Sequence, residues 1–162
     1  MKKVIVRSVY GAFEYAMSHY YPFGQRDRLE QTDTYAVISI QDSHTGGFGV
    51  QFSENEFCKG VLTLLFDDIV TPVEGAVLFS EEHAEQIIGF ILRTARKADT
   101  LLVHCYAGQS RSRAVGAFAT EMLGGDAKAY FTDGAPNMHI YDTLDYVWVR
   151  RQLRAMTGGT DS

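Results

Sequence analysis

The chain has 162 residues, enough for one core-bearing domain and too few for two ordinary ones. Apolar residues make up 46% and charged residues 22%, with a net charge of −5, which excludes extensive disorder and a general affinity for nucleic acid or anionic membrane. The short apolar run at the N-terminus is broken by Arg7, so neither a signal peptide nor a membrane span is predicted there. With two cysteines, Cys58 and Cys105, and no disulfide framework, the expectation is a cytoplasmic protein with reduced thiols.

In chain order, Val4–Val6 reads as a short strand and Ala12–Tyr20 as an amphipathic helix. Tyr35–Ile40 is a continuous apolar run of the kind buried in a parallel sheet, followed by a Gly-bearing loop from Gln41 to Gly60. Val61–Phe66 is a further strand ending at Asp67 and Asp68. Ser80 suits an N-cap, Glu81 and Glu82 follow it, and Ala84, Ile87, Ile88, Ile91 and Leu92 share one face, predicting a helix from Glu81 to Lys97. Leu101–Val103 is another buried strand, Ser112–Met122 a helix stopped at Gly124 and Gly125, and Asp126–Phe131 a short helix. Pro136 begins the last segment, with Leu144, Val147, Trp148 and Leu153 on a closing helix. The alternation predicts an α/β fold with a central, mainly parallel sheet, as one domain over residues 1–156 and a flexible tail over 157–162. Ligands bind such sheets at the carboxyl ends of strands, which directs attention past Val103, Phe66 and Ile40.

Past Val103 the sequence runs His104, Cys105, Tyr106, Ala107, Gly108, Gln109, Ser110, Arg111, Ser112. A buried strand delivers a thiol to a short loop that leads into a helix. Successive N–H groups of such a loop, Tyr106 to Ser110, together with the helix N-terminus, form a nest for a tetrahedral oxyanion. Arg111 offers two parallel donors to two anion oxygens. The same field favours the thiolate of Cys105, a nucleophile aimed at phosphorus. Ser112 is placed to hydrogen-bond the sulfur, and His104 to hold the loop. A Cys ending a strand is by itself more often a packed hydrophobe; the signal lies in the combination.

That combination resembles the HC-x-x-G-x-S/T-R-S/T signature of cysteine-dependent protein tyrosine phosphatases, in the form typical of dual-specificity enzymes. The chain also resembles small phage and bacterial predicted tyrosine phosphatases over roughly residues 35–153. Pro136-Asn137 looks like the Pro-Asn element after the signature helix, although Met138-His139 stand where that family has Gly-Phe. The resemblance implies phosphoester hydrolysis through a phosphocysteine intermediate, on phosphorylated proteins or small phosphoesters, with no cofactor and no metal. It also implies an upstream aspartate as general acid. Strand alternation groups Asp68 with Leu64 and Phe66, so Asp68 is the choice, with Asp67 as alternative and Asp42 as a third candidate more suited to shaping its loop.

The loop lacks the lysines of phosphoinositide-directed relatives, and no counterpart is evident for the recognition loop of strict tyrosine phosphatases. A shallow cleft for phosphotyrosine, with dual specificity open, follows. Tyr20-Tyr21-Pro22-Phe23 is available either to line that cleft or to pack in the core, and Arg113 reads as solvated. His19, His44, His83 and His139 show no metal-ligand spacing. An oxidative Cys58–Cys105 disulfide is a further expectation to test. Competing functions are a pseudophosphatase that binds phosphorylated partners and a rhodanese-like sulfurtransferase. The sequence does not specify the oligomeric state.

Overall fold

The structure is a computed structural model and describes residues 1–21, 33–44, 47–49 and 51–158. Four parallel strands form the sheet: β1 (Lys3–Arg7), β2 (Tyr35–Gln41), β3 (Cys58–Leu65) and β4 (Thr100–His104), in the order β1-β4-β2-β3. The central strands β2 and β4 are buried at every residue, which is why they read as unbroken apolar runs. Their side chains alternate between two layers. Ala36, Ile38, Ile40, Leu101 and Val103 face one core, and Tyr35, Val37 and Leu102 face the other.

The larger core is covered by helices α2 (Glu81–Thr94), α3 (Arg111–Met122) and α5 (Met138–Thr157), with the short α4 (Lys128–Thr132) beside α3. The opposite core is covered by α1 (Val9–Tyr20) through Ala12, Ala16 and Tyr20. In α2, Ser80 and His83 form a reciprocal capping box, and Ile87, Ile88 and Ile91 are fully buried, whereas Leu92, expected on the same face, turns to solvent. Among the described residues no helix is long and apolar enough to cross a membrane.

Element identities follow the sequence, and boundaries shift. Helix α1 starts at Val9 because Ser8 caps it, accepting a bond from Gly11 N–H at 3.0 Å. Strand β3 starts at Cys58 and stops at Leu65, so the predicted loop is shorter and the strand ends one residue earlier than expected. Helix α2 ends at Thr94, three residues before Lys97. Helix α5 continues through Thr157, the first residue of the predicted tail, and residues 159–162 lie outside the described residues.

Tyr20 does not line a cleft. It is fully buried, its ring stacks on Tyr35 at 4.4 Å, and its hydroxyl donates to Asp33 at the amino end of the sheet. Pro22 and Phe23 lie outside the described residues. The Cys58–Cys105 disulfide is also ruled out. Tyr35 is in register with both Cys58 and Thr100, and Cys105 lies five residues beyond Thr100. At about 3.3 Å per residue the two thiols are roughly 16 Å apart along the strand direction alone, whereas a disulfide needs Cα atoms within about 7 Å.

Candidate active site

Strand β4 ends at His104, and alternation sends the next side chain, Cys105, toward the core that holds α3. The chain then turns tightly and enters α3 at Arg111. The turn depends on Gly108, which has φ +74°. A Cβ there would also lie 2.6 Å from the backbone of Arg7 and Ser8, so only glycine lets the loop sit against the β1–α1 junction. A bond from Val9 N–H to Tyr106 O, 3.1 Å, fixes the same contact.

The loop closes around sulfur. Gly108 N–H donates to Cys105 Sγ at 3.2 Å, and Ser112 Oγ lies 3.1 Å from it on the first turn of α3. The Gly108 N–H and the N-terminal end of a twelve-residue helix present positive partial charge to Cys105. His104 turns to the opposite layer, where its ring lies between Phe13, Phe48 and Phe52, with Nδ1 3.3 Å from Cys105 O. Burial holds its pKa below the ordinary imidazole value, so the ring is neutral.

Arg111 is nearly buried and is held by two acceptors from neighbouring strand ends. Its Nη1 donates to Phe66 O at 2.9 Å, beyond β3, and lies 2.6 Å from Asp42 Oδ1, just beyond β2. Asp42 therefore does more than shape its loop: it fixes the guanidinium. This partnership was not anticipated from the sequence, although the placement of Asp42 at a strand's carboxyl end was the available signal. Arg113, expected to be solvated, is half-buried, 5.9 Å from the centre of the Tyr130 ring and packed under Gly134.

The two aspartates separate sharply, but not by strand alternation, because β3 has ended at Leu65. Asp67 is buried and accepts bonds from Val77 N–H at 2.7 Å, Ser43 N–H at 3.1 Å and the Ser43 hydroxyl. Burial opposes its charge, yet these donors and nearby His44 outweigh it and carry its pKa down to about 2. Asp68 is exposed and faces the loop: its Oδ1 accepts from Ser110 Oγ at 2.8 Å and from Asn137 Nδ2 at 2.9 Å. Asn137 divides its amide between two tasks. Its oxygen caps α5 through Ile140 N–H, and its nitrogen binds Asp68 and Ile69 O. That double use explains an Asn after Pro136 at this point in the chain.

The remaining loop side chains, Tyr106, Ala107 and Gln109, are exposed, and Tyr106 packs at 5.9 Å against Phe48. Phe48 and Phe52 come from the long β2–β3 connection. Together with Phe13, whose ring stacks on Phe52 at 4.1 Å, they form an aromatic shelf beside the loop that no local motif announced.

No protein-family model matches the sequence, and no curated protein matches it. Solved structures do match. Human DUSP28 superposes with a TM-score of 0.54 at 17% identity, covering 93% of this chain and 94% of that one. The human tyrosine phosphatase-like serine/threonine/tyrosine-interacting protein gives 0.52 at 20% identity, covering 82% and 89%. Tk-PTP in its active form gives 0.51 at 18%, covering 91% and 92%. The chain has the fold of dual-specificity-type phosphatases.

Proposed function

We propose that the protein is a cysteine-dependent phosphatase that hydrolyses phosphomonoesters, foremost phosphotyrosine in proteins, with phosphoserine and phosphothreonine as further substrates. The observation that carries this reading is the setting of Cys105 Sγ, which meets Gly108 N–H and the Ser112 hydroxyl at the N-terminus of α3. Those groups stabilise a thiolate, and the same end of the helix attracts a phosphate dianion.

The reaction runs in two steps. The phosphate sits in the loop of residues 106–110, clamped by Arg111, with the thiolate in line with the ester bond. Cys105 attacks phosphorus, the P–O bond breaks, and Asp68 gives its proton to the leaving oxygen. Water then attacks the phosphocysteine while Asp68 takes a proton from it. The P–S bond breaks, the sulfur leaves as thiolate stabilised by Ser112, and inorganic phosphate departs. Asp42 and Phe66 O keep the Arg111 guanidinium oriented, and His104 supports the loop from behind. Asp67 anchors the acid-bearing loop and stays ionised, which unsuits it to proton donation at neutral pH.

The aromatic shelf of Phe48 and Tyr106 supports an aryl phosphate, because a ring can stack there while its phosphate reaches the loop. The two unpaired thiols suit a reducing compartment such as the cytoplasm. The test is hydrolysis of p-nitrophenyl phosphate by reduced protein, without added metal, beside Cys105→Ser and with vanadate. Vanadate-sensitive turnover that the serine abolishes is expected. Tight phosphopeptide binding without turnover would instead mark a binding module, and thiosulfate:cyanide turnover a sulfurtransferase.

A further inference from the structure

Next to the reacting groups lies a second cleft, of about 510 Å³, between the acid-bearing loop and the start of α5. Asp68 and Ser110 form the edge it shares with the phosphate loop, Val70, Val73, Pro136 and Met138 supply apolar walls, and Thr71 and Asn137 add uncharged polar groups. Three of these are apolar side chains left open to solvent: Val70 is 58% exposed, Val73 51% and Met138 44%. Short apolar side chains on a loop ordinarily fold back onto the protein to escape water. Here the loop is pinned open. Asp67 N–H donates to Val77 O and Val77 N–H donates to the Asp67 carboxylate, closing the loop at its neck. Asn137 Nδ2 binds Ile69 O and tethers the loop to α5.

We infer that this cleft is a subsite for an apolar side chain adjacent to the phosphorylated residue of a peptide substrate. The inference rests on the phosphatase reading above. In that reading the leaving oxygen lies against Asp68, so the atoms that follow it in the substrate emerge at the mouth of the cleft. A neighbouring residue, with its Cα about 3.8 Å from that of the phosphorylated one, is then within reach of Val70 and Val73. Apart from Asp68 at the shared edge, the lining carries no charge, so an apolar side chain fits and a carboxylate does not. The volume falls within the usual range for small-ligand pockets and easily holds one Leu or Phe side chain.

The experiment compares kcat/KM on phosphotyrosine peptides that carry Leu, Gly or Asp at the position before or after the phosphotyrosine. Each is measured for the parent, Val70→Asp and Val73→Asp, with p-nitrophenyl phosphate as a reference too small to reach the cleft. The expected result is a preference of about tenfold for Leu over Gly at one flanking position, the size given by burying part of a Leu side chain. Asp at that position ranks below Gly. Both variants lower the Leu peptide to the Gly level once each rate is divided by that on p-nitrophenyl phosphate, which corrects for the repulsion an added carboxylate exerts on any phosphate dianion. Equal kcat/KM for all peptides, or a Leu preference that survives in both variants, would overturn the subsite alone. Absence of p-nitrophenyl phosphate turnover by the parent would instead overturn the phosphatase reading, and the subsite with it.

Discussion

Two cysteines, equally buried, sit at opposite ends of the same sheet: Cys58 is 1% exposed and Cys105 2%. Cys58 opens β3 at the amino end, where its thiol donates to Gly60 O at 3.6 Å and burial pushes its pKa up. Cys105 follows β4 at the carboxyl end, where an N–H and a hydroxyl converge on the sulfur. Burial alone does not decide what a thiol does; the polarity of the groups aimed at it does. Cys58 faces a carbonyl inside an apolar layer, whereas Cys105 faces an N–H at a helix N-terminus, a setting that binds anions. The same division runs through the rest of the sheet. Its amino end is closed by packed rings, Tyr20 against Tyr35 and Phe57, whereas its carboxyl end gathers Asp42, Asp68, Arg111 and Asn137.

The largest expected effect breaks this comparison at its centre. Cys105→Ser lowers p-nitrophenyl phosphate turnover by at least about 10³-fold, since a serine hydroxyl is a far weaker nucleophile toward phosphorus than a cysteine sulfur. Cys58→Ser leaves kcat within about twofold of the parent. Loss of turnover in folded Cys58→Ser protein would mean that the two ends are not chemically separate. Iodoacetamide sharpens the same point: it labels Cys105 first, and phosphate or vanadate slows that labelling. Peptide mapping that finds Cys58 modified first would reverse the assignment.

Next in size is the pair of adjacent aspartates, which repeats the contrast over one residue. Asp68→Asn lowers kcat on phenyl phosphate, whose leaving group is poor, by about 10²-fold or more, with a smaller loss on an activated ester. Asp67→Asn has a much smaller effect on either. Equal losses from the two variants, or a reversed order, would remove Asp68 from its role.

How far the site was readable from sequence depends on how local each part is. The loop from His104 to Ser112 is one continuous stretch, so its thiol, glycine, arginine and serine can be read together from residue order. Strands β2 and β4 are likewise plain because full burial leaves an unbroken apolar run. The start of β3 was hidden because Cys58 enters the sheet through tertiary pairing: Tyr35 N–H bonds Phe57 O at 2.8 Å, with nothing local to signal it. The Asp42–Arg111 contact needs the knowledge that β4 lies beside β2, which only the strand order supplies. For Asp67 and Asp68, strand alternation gives no guide, because β3 ends at Leu65. There, hydrogen bonding to Ser43 and Val77, not pleat, decides which side chain turns inward.

A smaller effect is expected where the clamp is held. Asp42→Ala removes a charge-assisted contact worth about 1.5–3 kcal/mol in comparable settings and leaves Arg111 with Phe66 O alone. The guanidinium then samples orientations that do not face phosphate. A drop in kcat/KM of about tenfold follows, with vanadate inhibition weakened in parallel. Unchanged kinetics would show that Phe66 O suffices, and the carboxyl end of β2 would drop out of the site.

The gentlest test concerns Asp67, which ties the acid-bearing loop to the sheet. Its carboxyl group has a folded pKa of about 2 against an ordinary value of 3.8. A depressed carboxyl pKa means that the unfolded chain binds the proton more readily, so acid favours unfolding. The ionised group therefore contributes about 2 kcal/mol above pH 4, a contribution lost as pH falls through 3.8 toward 2. Urea unfolding of the parent and of Asp67→Asn should show the parent more stable at pH 6, with the gap closing as pH drops to 2. Asparagine has no proton to gain, so its curve carries only the other groups' pH dependence. A gap that stayed constant would mean that Asp67 holds the loop by shape and neutral hydrogen bonds. The contrast with Asp68 would then be one of exposure, with charge playing no part in it.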